Sequence, residues 1–243
     1  MNAKSKDDRP ARDPLKPPAF FRKVIAEERT ALEREVKKGV AAVMRPVPRR
    51  CLQIAMAHYS AGDSIQECLR WLDQAATYKV MFFEKRQYQL GGYGDLIENL
   101  ETLSAASLAG RGPELVDAYR RCKLQSQPVP RYAGLINQAF AVFKREPVKQ
   151  INTEMEDLKK HGKDLATLAP LFKSVSDRDA RAFAAALDNF LSVCWSKQVK
   201  GVERMEEYTG KWSILSAAVS KLMGGVPSLP DKTRPYVPAD LVT

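Results

Sequence analysis

The chain has 243 residues, of which 44% are hydrophobic and 28% charged, and this composition excludes a wholly disordered protein. No stretch approaches the roughly 18 consecutive apolar residues of a membrane-spanning helix. The formal net charge of +10 lies mostly at one end, because residues 1–50 hold 14 Lys and Arg against 7 Asp and Glu, and residues 51–243 hold 25 against 22. A nucleic-acid-binding domain usually carries its positive charge on the folded body, so a nucleic-acid partner is not expected.

Residues 1–18 are polar and proline-rich and contain no apolar segment of the signal-peptide type. They predict a flexible basic tail and a protein that works in the cytoplasm. The four cysteines do not pair at CxxC spacing, and each stands in an apolar, helix-like stretch: Cys51, Cys68, Cys122 and Cys194. We predict that they are buried free thiols, as is usual in a reducing compartment.

Apolar residues at helical spacing predict a long helix over residues 19–44, and Pro46 and Pro48 end it. A second helix is predicted over 49–60, closed by Gly62 and Asp63. The next, over 64–85, is apolar around most of its circumference, which is typical of the central helix of a bundle. Residues 86–94 form a glycine-rich connector.

The same spacing continues through the second half of the chain, and no segment alternates with the period of a β-strand. Further helices are predicted over residues 95–109, 113–123, 132–143, 148–160, 164–175, 178–200 and 208–223. The sequence therefore predicts one all-α domain of about ten helices over 19–225, with an extended tail, 226–243, packed on it. Short turns near 62, 110, 145 and 176 separate helix pairs, which indicates an irregular helical-hairpin array of the kind that binds proteins.

Motifs that would indicate chemistry are missing from the sequence. The two histidines, His58 and His161, stand in different predicted helices, and neither has a second histidine one turn away. HExxH, GxSxG, GxGxxG and P-loop patterns do not occur. We therefore predict no catalytic residue, no cofactor and no metal, and expect that the protein is not an enzyme.

One region could contact a partner. Asp95, Glu98 and Glu101 are spaced by threes and share a helix face, and Tyr88 and Tyr93 lie in the glycine-rich connector before them. The carboxylates could form a solvated face, an acid–base or metal pair, or a docking patch for a basic partner. Because tyrosine is a common interface anchor, we predict that these five residues contribute to a partner-binding surface.

Four stretches together are similar to a known family: AxxHYSAGD, LRWLDQAATYKVMFF, SVSDRDARAFAAALDNFLS and the C-terminal RPYVPADLV. They resemble bacterial immunity proteins of polymorphic toxin systems, in particular the all-helical family known as immunity protein forty-nine. The likeness spans roughly residues 50–240, and the matching positions are Gly62, Asp63, Trp71, Ala75, Asp177, Phe183, Leu187, Pro235, Tyr236 and Pro238.

The resemblance implies an immunity protein of an effector–immunity pair, as used in interbacterial competition through secretion systems. Such a protein neutralises one cognate toxin by tight binding in the cytosol and occludes its active site. A nuclease, an NAD-degrading enzyme and an ADP-ribosyltransferase all remain open as the toxin. The alternatives are a helical-repeat adaptor or chaperone that binds another protein, and an enzyme with an unrecognised helical site.

Overall fold

A computed structural model of the chain describes residues 12–13, 15–39, 46–85, 93–122, 133–148, 165–202 and 208–242. Every regular element within these ranges is helical, which confirms the prediction of a single all-α domain of about ten helices. The helices are α1 (Pro18–Lys37), α2 (Pro46–Ser60), α3 (Ile65–Lys85), α4 (Tyr93–Leu108), α5 (Gly112–Arg121), α6 (Ala133–Lys144), α7 (Leu168–Asp177), α8 (Ala180–Asn189), α9 (Ser196–Val202) and α10 (Ile214–Met223).

Several predicted boundaries differ from the observed ones. α1 ends at Lys37, and residues 40–44 of its predicted span lie outside the described residues, as does nearly all of the helix predicted over 148–160. α2 begins at Pro46. A proline is tolerated there because the N–H groups of a first turn have no acceptor within the helix, so the missing proline N–H removes no hydrogen bond. α10 begins only at Ile214 and not at residue 208, since Ser213 caps it by accepting a hydrogen bond from the Ser216 N–H.

Four helix ends coincide with the turns that the hairpin pattern predicted. The residue after the last turn has a left-handed backbone in each case: Gly62 (φ +82°), Gly110 (+80°), Arg145 (+58°) and Arg178 (+54°). The following N–H donates to a carbonyl oxygen five residues back, as between Asp63 N and His58 O at 3.1 Å. This hydrogen-bond pattern satisfies carbonyl groups that the helix leaves open and reverses the chain.

Helix α4 lies at the centre of the domain, and the prediction of α3 for that place is wrong. α3 packs against α2, α4 and α5, whereas α4 packs against α2, α3, α5, α6 and α10. The sequence of α4 concealed this, because Thr102 and Ser104 appear polar although both are fully buried. Their hydroxyl groups donate to the carbonyl oxygens of Glu98 and Leu100 at 2.6 and 2.7 Å, so no unpaired polar group enters the core.

The predicted helix over 178–200 is interrupted. α8 and α9 are joined by a π-helical segment, Phe190–Trp195, in which Phe190, Leu191 and Cys194 are buried. A π-helical insertion adds one residue to a turn and re-aims the side chains after it. Trp195 is thereby placed so that its Nε1 donates to the Lys211 carbonyl oxygen at 2.8 Å, which ties α8 and α9 to the segment before α10.

Both ends of the described chain meet at the C-terminal end of α2. The Ser60 carbonyl oxygen accepts from the Arg12 N–H at 3.0 Å, and the Ser60 hydroxyl donates to the Thr209 carbonyl oxygen at 2.6 Å. Trp212 Nε1 donates to the same hydroxyl at 3.0 Å. We call these contacts the closing network, which comprises Arg12, Asp13, Tyr59, Ser60, Asp63, Tyr208, Thr209, Trp212 and Asp240.

The N-terminal part of this network corrects the predicted tail of residues 1–18. Asp13 is only 2% exposed, and its carboxylate accepts from the Tyr208 hydroxyl at 2.6 Å and from the Lys211 N–H at 2.7 Å. Arg12 donates to the carbonyl oxygens of Tyr59 and Asp63 at 3.0 and 2.8 Å. The folded domain thus includes Arg12 and Asp13, because their polar groups complete the end of α2.

The C-terminal segment after α10 packs on the helices. Leu229, Val237 and Leu241 are buried, and two short 3-10 turns, Arg234–Tyr236 and Ala239–Leu241, give the segment its path. The Ser213 N–H donates to the Tyr236 carbonyl oxygen at 2.7 Å. The Tyr59 hydroxyl donates to the Asp240 carboxylate, which also pairs with Arg12 at 2.9 Å.

The closing network predicts that Asp13→Ala destabilises the fold. The substitution leaves the buried Tyr208 hydroxyl and the Lys211 N–H without their acceptor, and we expect the free energy of unfolding to fall by roughly 2–4 kcal/mol. Urea unfolding followed by circular dichroism measures this value. Asp231→Ala is the control, since the Asp231 side chain is 100% exposed, and an equal loss in both variants would contradict the network's role.

Gly210 is predicted to tolerate no side chain. Its φ is +131°, and a Cβ at this position would lie 2.1 Å from Ser60 Oγ. Gly110 also has a positive φ, +80°, but no neighbouring atom within 4 Å of such a Cβ. Gly110→Ala should therefore lower stability by about 1 kcal/mol, and Gly210→Ala by roughly 2–4 kcal/mol because backbone strain and overlap add. Equal losses in thermal unfolding would show that the space around Gly210 can relax.

Candidate functional site

The residues predicted to contact a partner lie at and before the start of α4. Tyr93 and Asp95 are in its first turn, and Glu98 and Glu101 follow one turn apart on the same helix. Tyr88 lies outside the described residues. Glu98 and Glu101 are half-buried, so the structure does not place these two carboxylates on an open acidic face.

Glu98 neutralises a buried cation. The Lys79 side chain is 2% exposed, and its Nζ donates to Glu98 Oε1 at 2.6 Å. The ammonium also lies 5.4 Å from the ring centre of Phe82 and 5.5 Å from that of Phe83, where the negative faces of the rings attract it. A charged group this deep in the protein is tolerated only with such partners, so Glu98 is part of the core of the α3–α4 pair.

Glu101 lies on the side of α4 that faces a small apolar cavity. The cavity holds about 20 Å³, roughly the space of one water molecule, and its walls include Leu168, Phe190, Trp195 and Ile214. Burial raises the pKa of the Glu101 carboxyl to about 7, the Arg49 charge lowers it, and the Glu98 charge raises it. Glu101 is thus poised between its neutral and charged forms near neutral pH.

The two carboxylates therefore have different surroundings although they are three residues apart. Glu98 has a cation beside it, whereas Glu101 has mostly hydrocarbon. Their spacing by threes predicted one row on a shared helix face, but Glu98 and Glu101 have different environments on that face. Contact of this region with a partner stays a prediction, and it now depends chiefly on Tyr88, Tyr93 and Asp95.

A second polar cluster surrounds His58 in the HYSAGD segment. His58 Nδ1 lies 2.6 Å from Asp63 Oδ2, and His58 Nε2 lies 3.1 Å from the Arg29 guanidinium. An arginine can only donate, so Nε2 accepts and Nδ1 carries the proton that is donated to Asp63. Burial lowers the pKa of His58, and the hydrogen bond with Asp63 raises it in part. Both ring nitrogens of His58 thus make hydrogen bonds, and the bond to Arg29 joins α1 to the end of α2.

The same cluster extends to α3 through Glu67. Its Oε1 accepts from Arg29 at 3.1 Å, from Arg70 at 2.6 Å and from Trp71 Nε1 at 3.2 Å. The guanidinium of Arg29 also lies 5.2 Å from the Trp71 ring centre. Three positions of the family resemblance therefore lie together at the junction of α1, α2 and α3: Gly62, Asp63 and Trp71.

None of the four cysteines forms a disulfide and all four are buried, which confirms their prediction as buried thiols. Burial raises the pKa of the Cys51 and Cys68 thiols to about 12. Such thiols remain protonated near neutral pH and are poor nucleophiles.

Within the described ranges, no three histidine, cysteine or carboxylate side chains are grouped so that they could hold a metal ion. None of the helices in these ranges has the length and apolarity of a membrane span. The chain matches no protein-family model, no curated protein and no solved structure.

Several residues of the site were missed at the level of sequence. Lys79 had a local signal, since it is the single charged residue between Gln74 and Phe83. A lone cation in an apolar helix needs a buried partner, and that requirement pointed to a carboxylate on a neighbouring helix. The cavity beside Glu101 had no such signal, because its walls come from four separate segments of the chain.

The contrast between Glu98 and Glu101 generates a pH-dependent prediction. Below about pH 4.5 Glu101 is neutral in both the folded and the unfolded chain; as the pH rises to about 7, the unfolded chain ionises first and stability falls. Glu101→Gln should remove this loss and raise the free energy of unfolding by about 2–3 kcal/mol at pH 8, with little change at pH 4.5.

Glu98→Gln is the matched variant, and it should have the opposite sign. It removes the carboxylate that pairs with the buried Lys79 ammonium, and we expect a loss of about 3 kcal/mol or more at pH 8. Urea unfolding of both variants and the wild-type chain at the two pH values measures the differences. Destabilisation by Glu101→Gln at pH 8 would show that its ionised form is the favourable one.

Proposed function

We propose that the protein is an immunity protein that neutralises a cognate bacterial toxin by direct binding in the cytosol and occludes its active site. The proposal rests first on the resemblance of its short motifs to the immunity protein forty-nine family. Those motifs are degenerate when each is taken alone. Their arrangement in the fold adds support, because the first and last of them are in contact.

The supporting contact joins residues 181 positions apart in the sequence. Tyr59, in the HYSAGD segment, donates its hydroxyl hydrogen to Asp240 in the C-terminal RPYVPADLV segment. The backbone of the same C-terminal segment accepts from the Ser213 N–H through the Tyr236 carbonyl oxygen. Two of the short motifs, distant in sequence, are thus joined in the fold, and this contact is the structural support for treating them as parts of one pattern.

The surface proposed for toxin binding is the start of α4 with the connector before it. The architecture suits this use, because α4 is the central helix and is held by several neighbours. A binding surface on a rigid helix loses little conformational entropy when the partner binds. Tyr88, Tyr93 and Asp95 are the residues of choice for testing it, since substitution of Glu98 or Glu101 would perturb the core.

Helical hairpins closed by left-handed turns favour a second candidate function. Pairs such as α2–α3 and α7–α8 pack as neighbours, as in helical-repeat adaptors and chaperones. In this chain α10 returns to pack on α4, so the array is closed on itself and is not an open stack. An adaptor or chaperone would bind several proteins, whereas an immunity protein would bind one toxin.

Co-expression tests the proposal. An immunity gene usually lies directly after the gene of its toxin, and expression of that toxin in a susceptible cell should be lethal unless this chain is also present. We expect full protection by the wild-type chain and loss of protection by Tyr93→Ala combined with Asp95→Lys, with circular dichroism used to verify that this variant is folded. Glu33→Lys, at an exposed position of α1, is the charge-matched control and should protect.

The outcomes separate the proposals. Failure of the wild-type chain to protect would reject the immunity function with that toxin. Protection by the Tyr93 and Asp95 variant would retain the function and reject this surface. Growth rates together with pull-down of the tagged toxin measure both.

A further inference from the structure

A polar cleft of about 210 Å³ lies away from α4, where the ends of α6 and α7 meet the last turn of α10. Its lining includes Arg145 and Glu146 after α6, the run Ser176, Asp177 and Arg178 at the end of α7, and Leu222 of α10. Neither the closing network nor the predicted partner surface uses these residues.

Two arginines border the cleft in a costly backbone conformation. Arg145 (φ +58°) and Arg178 (φ +54°) are the only residues other than glycine with positive φ in the described part of the chain. The left-handed conformation costs an L-residue roughly 1–2 kcal/mol relative to glycine. At four other helix ends of the described chain glycine occupies that place: Gly39, Gly62, Gly110 and Gly224.

The acidic residues of the cleft already have partners. Glu146 accepts two hydrogen bonds from Arg120, at 3.0 and 2.7 Å. Asp177 accepts from Lys173 Nζ at 2.5 Å. Their charges are therefore compensated by cations outside the cleft.

The two arginines have no such compensation. Among the residues that the structure describes, neither the Arg145 nor the Arg178 guanidinium makes a hydrogen bond or an ion pair. Both arginines line the cleft and are exposed, and its two carboxylates are paired with other cations, so the cleft presents an excess of positive charge and of N–H donors.

We propose that this cleft binds an oxyanion, a carboxylate or a phosphate group, through Arg145 and Arg178. The planar guanidinium presents its donors in a fork that matches the oxygens of either group. The volume admits one such group with a few attached atoms. The anion has two possible sources: a free small molecule or, on the proposed function, an acidic side chain of the toxin.

The test uses the full-length chain and needs no toxin, so its result is independent of the immunity proposal. The isotope-labelled protein is titrated at constant ionic strength with inorganic phosphate, with succinate and with a blocked tetraglutamate peptide, and amide shifts are followed by nuclear magnetic resonance. We expect saturable shifts around the cleft. Binding of phosphate or succinate indicates a small-molecule source, and binding of the peptide alone indicates a protein side chain.

Arginine-to-glycine variants keep the left-handed backbone and remove the guanidinium. Arg145→Gly and Arg178→Gly should each weaken binding at least tenfold, with a melting temperature equal to or above that of the wild-type chain. Arg34→Ala on α1 is the control, because it removes one positive charge from an exposed site away from the cleft. This variant should bind the anion as tightly as the wild-type chain does.

Three results would overturn the proposal. The first is the absence of saturable binding for all three probes. The second is unchanged binding in both glycine variants, or an equal loss in Arg34→Ala, which would indicate a general charge effect. The third is a marked fall of the melting temperature in the glycine variants, which would show that the arginines are kept for packing.

Discussion

The turn that closes α2 is the point on which the rest of the molecule depends. Ser60 receives the N-terminal segment on its carbonyl oxygen and the segment before α10 on its hydroxyl, while Tyr59 reaches Asp240 near the C-terminal end. Helices alone would leave this turn with open carbonyl groups and buried hydroxyls that lack partners. The two ends of the chain supply those partners, and α10 is thereby held against the central helix.

The interior of the domain shows how environment and not residue type decides the role of a carboxylate. Glu98 pairs with the buried Lys79 ammonium, and Glu101 has a raised pKa because burial disfavours its charged form. Desolvation of an ionised group costs more free energy than most single interactions supply. A buried carboxylate therefore either pairs with a cation or has a raised pKa. A row of acidic residues on a helix is thus a weak guide to a binding surface.

The proposed functions divide the surface of the protein between two regions. The start of α4 is proposed for toxin binding, and the cleft with Arg145 and Arg178 for an oxyanion. The same left-handed turns that make helical hairpins also place these arginines, which connects the fold to the second site. Glycine would adopt the turn's left-handed backbone at lower cost than arginine, and this cost is one reason why a binding role is proposed for the two guanidinium groups.

The sequence by itself determined the helical class, most helix positions, the turns near residues 62, 110, 145 and 176, and the burial of the cysteines. These features follow from apolar periodicity and from the local chemistry of helix ends, which act over a few residues. Gly62 and Asp63, for example, predict a chain reversal without knowledge of any other segment.

Only the tertiary structure decided which helix is central, that Asp13 is buried, that residues 208–213 are not helical and that Glu98 meets Lys79. Each of these features depends on which groups come together in the fold. Local sequence patterns do not encode that pairing. The hydroxyls of Thr102 and Ser104 could enter the core because their own helix supplies acceptors, whereas Asp13 could do so only because Tyr208 and the Lys211 N–H come to it. A polar group can be buried only where it finds a hydrogen-bond partner, and a partner from a distant segment is in place only once the chain has folded.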